Sequence, residues 1–187
     1  MLATIAAAAP ADEQKQLGGS LVFTIPPAWE LQQHKSHEQT ELTVLRIPLP
    51  SVIQASASAN VVILGRKNEA GVGLKDLVSA EVDRAKSGDP EFAVQDLVWE
   101  SESWAVALAT SQDGSTPYVL YDHYAATFKS VASIRVVLPV PPQMDDAWLS
   151  ETVSQVNGFV QSISIDGAET GAVRLERSGH ELRLSGR

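Results

Sequence analysis

A chain of 187 residues with 44% apolar and 20% charged content is long enough for one domain with a single sizeable core. Its net charge of −9 disfavours nucleic acid and anionic membrane surfaces, both of which recruit clustered Lys and Arg. The absence of cysteine excludes disulfides, thiol nucleophiles and cysteine-ligated metals, and no apolar run reaches the roughly 18 residues of a transmembrane helix.

Met1–Ala11 is a short apolar run ending in small residues, with polar Asp12–Gln16 behind it. Two readings fit: the remnant of a secretory signal peptide without its basic n-region, or a disordered Ala-rich terminus. Either places residues 1–19 outside a single α+β domain expected over 20–165. Leu21–Ile25 alternates as a strand, and Pro26-Pro27 ends it. Trp29–His34 resumes, with Trp29 and Leu31 on one side and Glu30 and Gln32 on the other, before a polar turn at His34–Thr40. Glu41–Leu49 is a strand closed by Pro48 and Pro50, Ser51–Asn60 a loop, and Val61–Leu64 a short apolar strand suited to mid-sheet.

After the polar connection Gly65–Gly73, Leu74, Leu77, Val78, Val82 and Ala85 mark an amphipathic helix stopped by Gly88 and Pro90. Phe92–Glu100, Trp104–Thr110, Tyr118–Phe128 and Val131–Val140 follow as an antiparallel meander. Its turns fall at Ser101–Ser103, Gln112–Thr116 and Lys129-Ser130. The last turn sets Tyr124 opposite Arg135, with Asp122 diagonal to it in an exposed ion pair and Tyr124 stacked beside the guanidinium. His123, Ala125, Ile134 and Val136 take the other face.

The strongest periodicity lies in Asp145–Ile163. Trp148, Leu149, Thr152, Val153, Val156, Phe159, Val160 and Ile163 form one stripe, which requires burial on the sheet. Asp145 and Asp146 are placed to cap its first turn, and Gly158 reads as a concession to close packing. Residues 166–187 read as a hairpin tail turning at Ser178-Gly179, with Leu175 opposite Leu182 and Val173 opposite Leu184. That register opposes Arg174 to Arg183 and Glu176 to Glu181, repulsions relieved only diagonally. A lone hairpin is marginal in water, so its apolar face is expected to dock on the domain.

A strand ending in Phe23-Thr-Ile-Pro-Pro-Ala-Trp29, the helix Leu74–Lys86, the Asp89-Pro-Glu-Phe92 entry to a meander, and Ser133-Ile-Arg-Val-Val-Leu138 before a terminal helix occur in that order. This order, from Leu21 to Ile165, resembles the Mog/PsbP-like superfamily. That group includes Ran-binding Mog proteins, the extrinsic PsbP subunit of photosystem II and bacterial DcrB-like envelope proteins. The resemblance implies an antiparallel sheet between helices (an α/β/α sandwich) and binding or accessory roles without a shared catalytic centre.

Read from the residues, the candidate chemistry is sparse. His34 and His37 form an H-x-x-H near Glu38 and Glu41, but a turn holds no ligands in convergence, so no metal is expected. Asp122-His123 suggests a hydrolase triad, yet strand neighbours point to opposite faces and no G-x-S-x-G elbow exists. Gly71-Val-Gly73 precedes a helix without completing a dinucleotide or P-loop fingerprint, so no cofactor is implied. Of the tryptophans, Trp104 and Trp148 read as core and Trp29 as a surface aromatic beside the Pro-Pro turn.

Together these observations predict a non-catalytic binding or accessory protein of the bacterial envelope, periplasmic or otherwise exported, monomeric or dimeric. A protein partner or small ligand would be met by Trp29, Tyr124, Arg135 and Asp122. The alternative is a cytosolic adaptor or chaperone for apolar segments of secreted effectors; a hydrolase is the residual one.

Overall fold

The computed structural model describes residues 12–51, 57–141, 145–179 and 181–186. Strands β1 (Asp12–Gln16) and β2 (Leu21–Ile25) come first, then β3 (Glu30–His37), β4 (Thr40–Ile47) and β5 (Ala59–Lys67). Helix α1 (Leu74–Gly88) leads into β6 (Ala93–Trp99), β7 (Trp104–Asp113), β8 (Thr116–Ala126) and β9 (Ser130–Pro139). Helix α2 (Asp146–Gln161), the short β10 (Ser164–Ile165) and β11 (Ala168–Glu169), and the hairpin β12 (Arg174–Ser178) and β13 (Glu181–Ser185) complete the chain. Seven strands form one antiparallel sheet in the order β3-β4-β5-β9-β8-β7-β6. Helix α1 lies on one face. Helix α2 lies on the other, flanked by the small sheet β1-β2-β10-β11 and the β12–β13 hairpin.

The α2 face is closed. Its stripe of Leu149, Thr152, Val153, Val156, Phe159 and Val160 is buried, joining Leu45, Val61, Ile63, Ile134, Val136 and Leu138 in one cluster. Asp145 caps the helix as its sequence implies, accepting from the Ala147 and Trp148 amides at 2.7 and 2.9 Å. Trp148 is only partly buried, its indole donating to the Pro48 carbonyl at 2.9 Å. Gly158 does not touch the sheet: a Cβ built there meets nothing within 4 Å, so close packing is not why it is glycine.

Several expectations need correction. Residues 12–19 are not outside the fold, because β1 pairs with β2 and both Gln16 and Leu17 are buried; residues 1–11 lie outside the described residues. The turn expected at His34–Thr40 is strand as far as His37, and β5 runs on through Lys67 into the expected connection. Trp29 is no surface aromatic: it is 6% exposed, 5.1 Å from the Phe159 ring, and its indole donates to Gln155 at 2.9 Å. Leu31, on the edge strand, is instead 51% exposed. Burial there depends on reach from α2, which alternation alone does not encode.

Both hairpins slip by one turn position, towards the N-terminus in β8–β9 and towards the C-terminus in β12–β13. The β8–β9 turn is Phe128-Lys129, not Lys129-Ser130: the Thr127 amide donates to the Ser130 carbonyl at 2.8 Å, and the Thr127 hydroxyl accepts from the Lys129 and Ser130 amides. Moving the turn by one residue moves the register by two, so every side chain keeps its face. Asp122 then lies directly opposite Arg135, not diagonal to it. In β12–β13 the observed partners are Leu175 with Leu184 and Glu176 with Arg183. The like-charge oppositions therefore never form, and an unlike pair replaces them. The hairpin docks on α2, where Asn157 bridges the Leu175 amide and carbonyl at 3.0 and 2.8 Å and Arg177 pairs with Asp146.

Candidate functional site

Helix α1 packs chiefly on β7 and β8, where Leu74, Leu77 and Val78 meet Ala105, Ala107, Tyr124 and Ala126. The alanines let the helix sit close to the sheet. Strands β4 and β5 lie beyond it, and their side chains on this face are Leu42, Val44, Val62 and Leu64. These four are half-buried and belong to none of the apolar clusters. Between them and α1 runs a cleft of about 250 Å³, lined by Leu42, Val62, Leu64, Glu81, Tyr124 and Arg135.

One wall of the cleft is a fixed charge array. Arg135 donates to both carboxylate oxygens of Asp122, from Nε at 2.8 Å and Nη2 at 2.7 Å. The Tyr124 hydroxyl donates to the same carboxylate at 3.0 Å, and the guanidinium lies 5.5 Å from the Phe92 ring centre. The expected stacking partner was Tyr124; Phe92 takes that place. The pair is not the exposed one the sequence suggests either, since the Asp122 side chain is 2% exposed and that of Arg135 32%. Burial and the neighbouring Asp122 charge push the Tyr124 hydroxyl well above its ordinary range. Burial opposes the Arg135 charge, but the bonds and charge of Asp122 outweigh it and hold the guanidinium above its usual value. Neither group exchanges a proton near neutral pH, so the array suits recognition rather than acid–base chemistry.

The remaining candidates do not converge on it. His123 points to the α2 face, fully enclosed, edge-on to Tyr121 at 4.5 Å, with neither ring nitrogen hydrogen-bonded. Burial, reinforced by Arg174, lowers its pKa to about 3. His34 shares its face with Thr43, to which it is hydrogen-bonded at 3.0 Å, whereas His37, three residues on in the same strand, faces the other way. The glycine turn before α1 is tied by Asn68, whose side chain bonds the Val72 amide and carbonyl at 2.7 and 3.0 Å, a structural task.

Leu42, Val44 and Leu64 escaped the sequence reading as site residues, although a signal was there. Val61–Leu64 is apolar at every position, which demands cover on both faces of the sheet. Only the α2 face receives it.

No protein-family model matches the chain, and no curated protein matches it. Solved structures do. The Saccharomyces cerevisiae Ran-binding protein Mog1p aligns over 84% of this chain and 96% of its own, at 13% identity and a TM-score of 0.55. A mutant of protein Mog1 aligns over 87% of this chain and 98% of its own, at 12% identity and the same score. At such identities the likeness shows the fold alone: an antiparallel sheet with helices on its two faces and a C-terminal hairpin, in the arrangement of Mog1.

Proposed function

We propose that the protein is a non-catalytic binding or accessory protein of the bacterial cell envelope and engages a protein partner through the cleft beside α1. The observation that carries this reading is the half-buried Arg135, fixed by Asp122 and Tyr124 at the wall of a cleft whose other side is aliphatic. A pre-organised cation next to an apolar surface is the composition of an interface anchor. The fold likeness to a protein described as Ran-binding supports a binding role. The apolar, small-residue composition of Met1–Ala11 supports export.

A photo-crosslinking residue placed at Val62 tests the interface in cells. A discrete adduct there, absent when the same residue replaces exposed Ser154 on α2, is the expected result. Equal labelling at both positions, or none at Val62, overturns the reading. Fractionation tests the compartment, with recovery in the periplasm expected. Recovery in the cytosol would favour a cytosolic adaptor or chaperone for apolar segments, a reading that the four uncovered aliphatics of β4 and β5 also support.

A further inference from the structure

This inference rests on the binding reading above and names the chemistry of the partner. Strands in a sheet are about 4.8 Å apart, so β5, two strands from β8, lies about 10 Å from the strand on which α1 packs. Neighbouring helices pack about 8–10 Å axis to axis, so one more helix fits beside α1, over β5 and β4. The surface it would meet is aliphatic in the middle, at Leu42, Val44, Val62 and Leu64.

The rim of that surface carries a cation on every side. Arg135 lies opposite Val62 on the inner side, and Lys35 lies opposite Leu42 on the outer edge strand. Arg46 stands at one end, and Arg66 stands at the other with Arg84 of α1. These five cations face three carboxylates: Asp122 bound to Arg135, Glu81 at 2.6 Å from Arg84, and Glu30 at 3.9 Å from Arg46. The whole chain carries −9, so this face has the opposite sign from the rest of the molecule.

We propose that this face binds an amphipathic helix of another protein, one whose apolar stripe is flanked by Asp and Glu. An uncharged apolar segment would cover Lys35 and Arg66, which have no carboxylate partner among the described residues, without supplying one, which is costly. A second copy of this chain offers no such helix among the described residues, because the apolar stripes of α1 and α2 are spent on its own sheet.

The test uses the full chain with methyl-labelled Leu and Val, titrated with three synthetic helical peptides sharing one leucine stripe flanked by Glu, Gln or Lys. The Glu peptide should shift the methyls of Leu42, Val44, Val62 and Leu64 and saturate. Its affinity should fall about tenfold as salt rises from about 0.1 to about 1 M, where the Debye length shrinks from about 10 to about 3 Å. The double variant Arg46→Glu, Arg66→Glu should lose about tenfold in affinity with its thermal unfolding unchanged, since rim charges contribute little to folding. Saturation by the Gln or Lys peptide at least as tightly overturns the acidic class while leaving the binding face in place. Methyl shifts that follow protein concentration alone overturn it in favour of a second copy. Silence at these methyls with all three peptides overturns it outright, and the Val62 crosslink then decides separately whether any partner uses the face.

Discussion

Asp122 and His123 are neighbours in β8, yet they face different surroundings. His123 enters the α2 face, where aliphatic and aromatic side chains close over it and leave both ring nitrogens without a partner. Asp122 enters the α1 face, where it is almost as deeply buried but carries three hydrogen bonds from Arg135 and Tyr124. One face tolerates a polar residue only in its neutral form; the other builds a satisfied ion pair and leaves the strands beyond it uncovered. The contrast separates a face made for stability from one free to recognise something.

The sharpest way to break this comparison is to cut into the closed face. Phe159 is buried edge-on to Phe23 at 6.0 Å and beside Trp29, so Phe159→Ala should destabilise by about 3–5 kcal/mol in denaturant unfolding. A loss below about 1 kcal/mol would mean that α2 is not the main closure. His123 offers a second probe. Its native pKa of about 3 lies below its ordinary 6.5, so the neutral form is favoured on folding. Its contribution is therefore complete above pH 6.5 and is lost as pH falls from 6.5 towards 3, reaching about 3 kcal/mol by about pH 4. His123→Leu should flatten that part of the acid limb without loss at neutral pH, because it deletes two unpartnered polar atoms. Stability profiles of both proteins against pH check this.

On the open face the effects should be smaller. Asp122→Asn leaves Arg135 without its counter-charge, at about 1.5–3 kcal/mol in urea unfolding. Leu64→Ser on the uncovered strand should cost about 1 kcal/mol or less while abolishing a Val62 crosslink. The smallest effect reverses sign and lies on the solvent side of α2: Gly158→Ala, in mid-helix with open space at its Cβ, should raise stability by about 0.5–1 kcal/mol. A fall would show a contact at that position that the structure lacks.

By itself the sequence determined faces. Period-two alternation sent Asp122, Tyr124 and Arg135 one way and His123 and Ile134 the other, and the three-and-four spacing of Leu149–Val160 found the stripe that closes the core. These features survive because parity is local: a turn displaced by one residue, as at Phe128-Lys129, changes partners by two and faces not at all. The tertiary structure decided which face is covered. Trp29 is buried because α2 reaches it, Leu31 is exposed because the edge strand lies beyond that reach, and Leu42 and Val62 stay half-open because α1 settles on the alanines of β7. Cover depends on where a helix lands among residues distant in the chain; the unbroken apolar run Val61–Leu64 calls for cover on both faces of the sheet but does not say which face receives it.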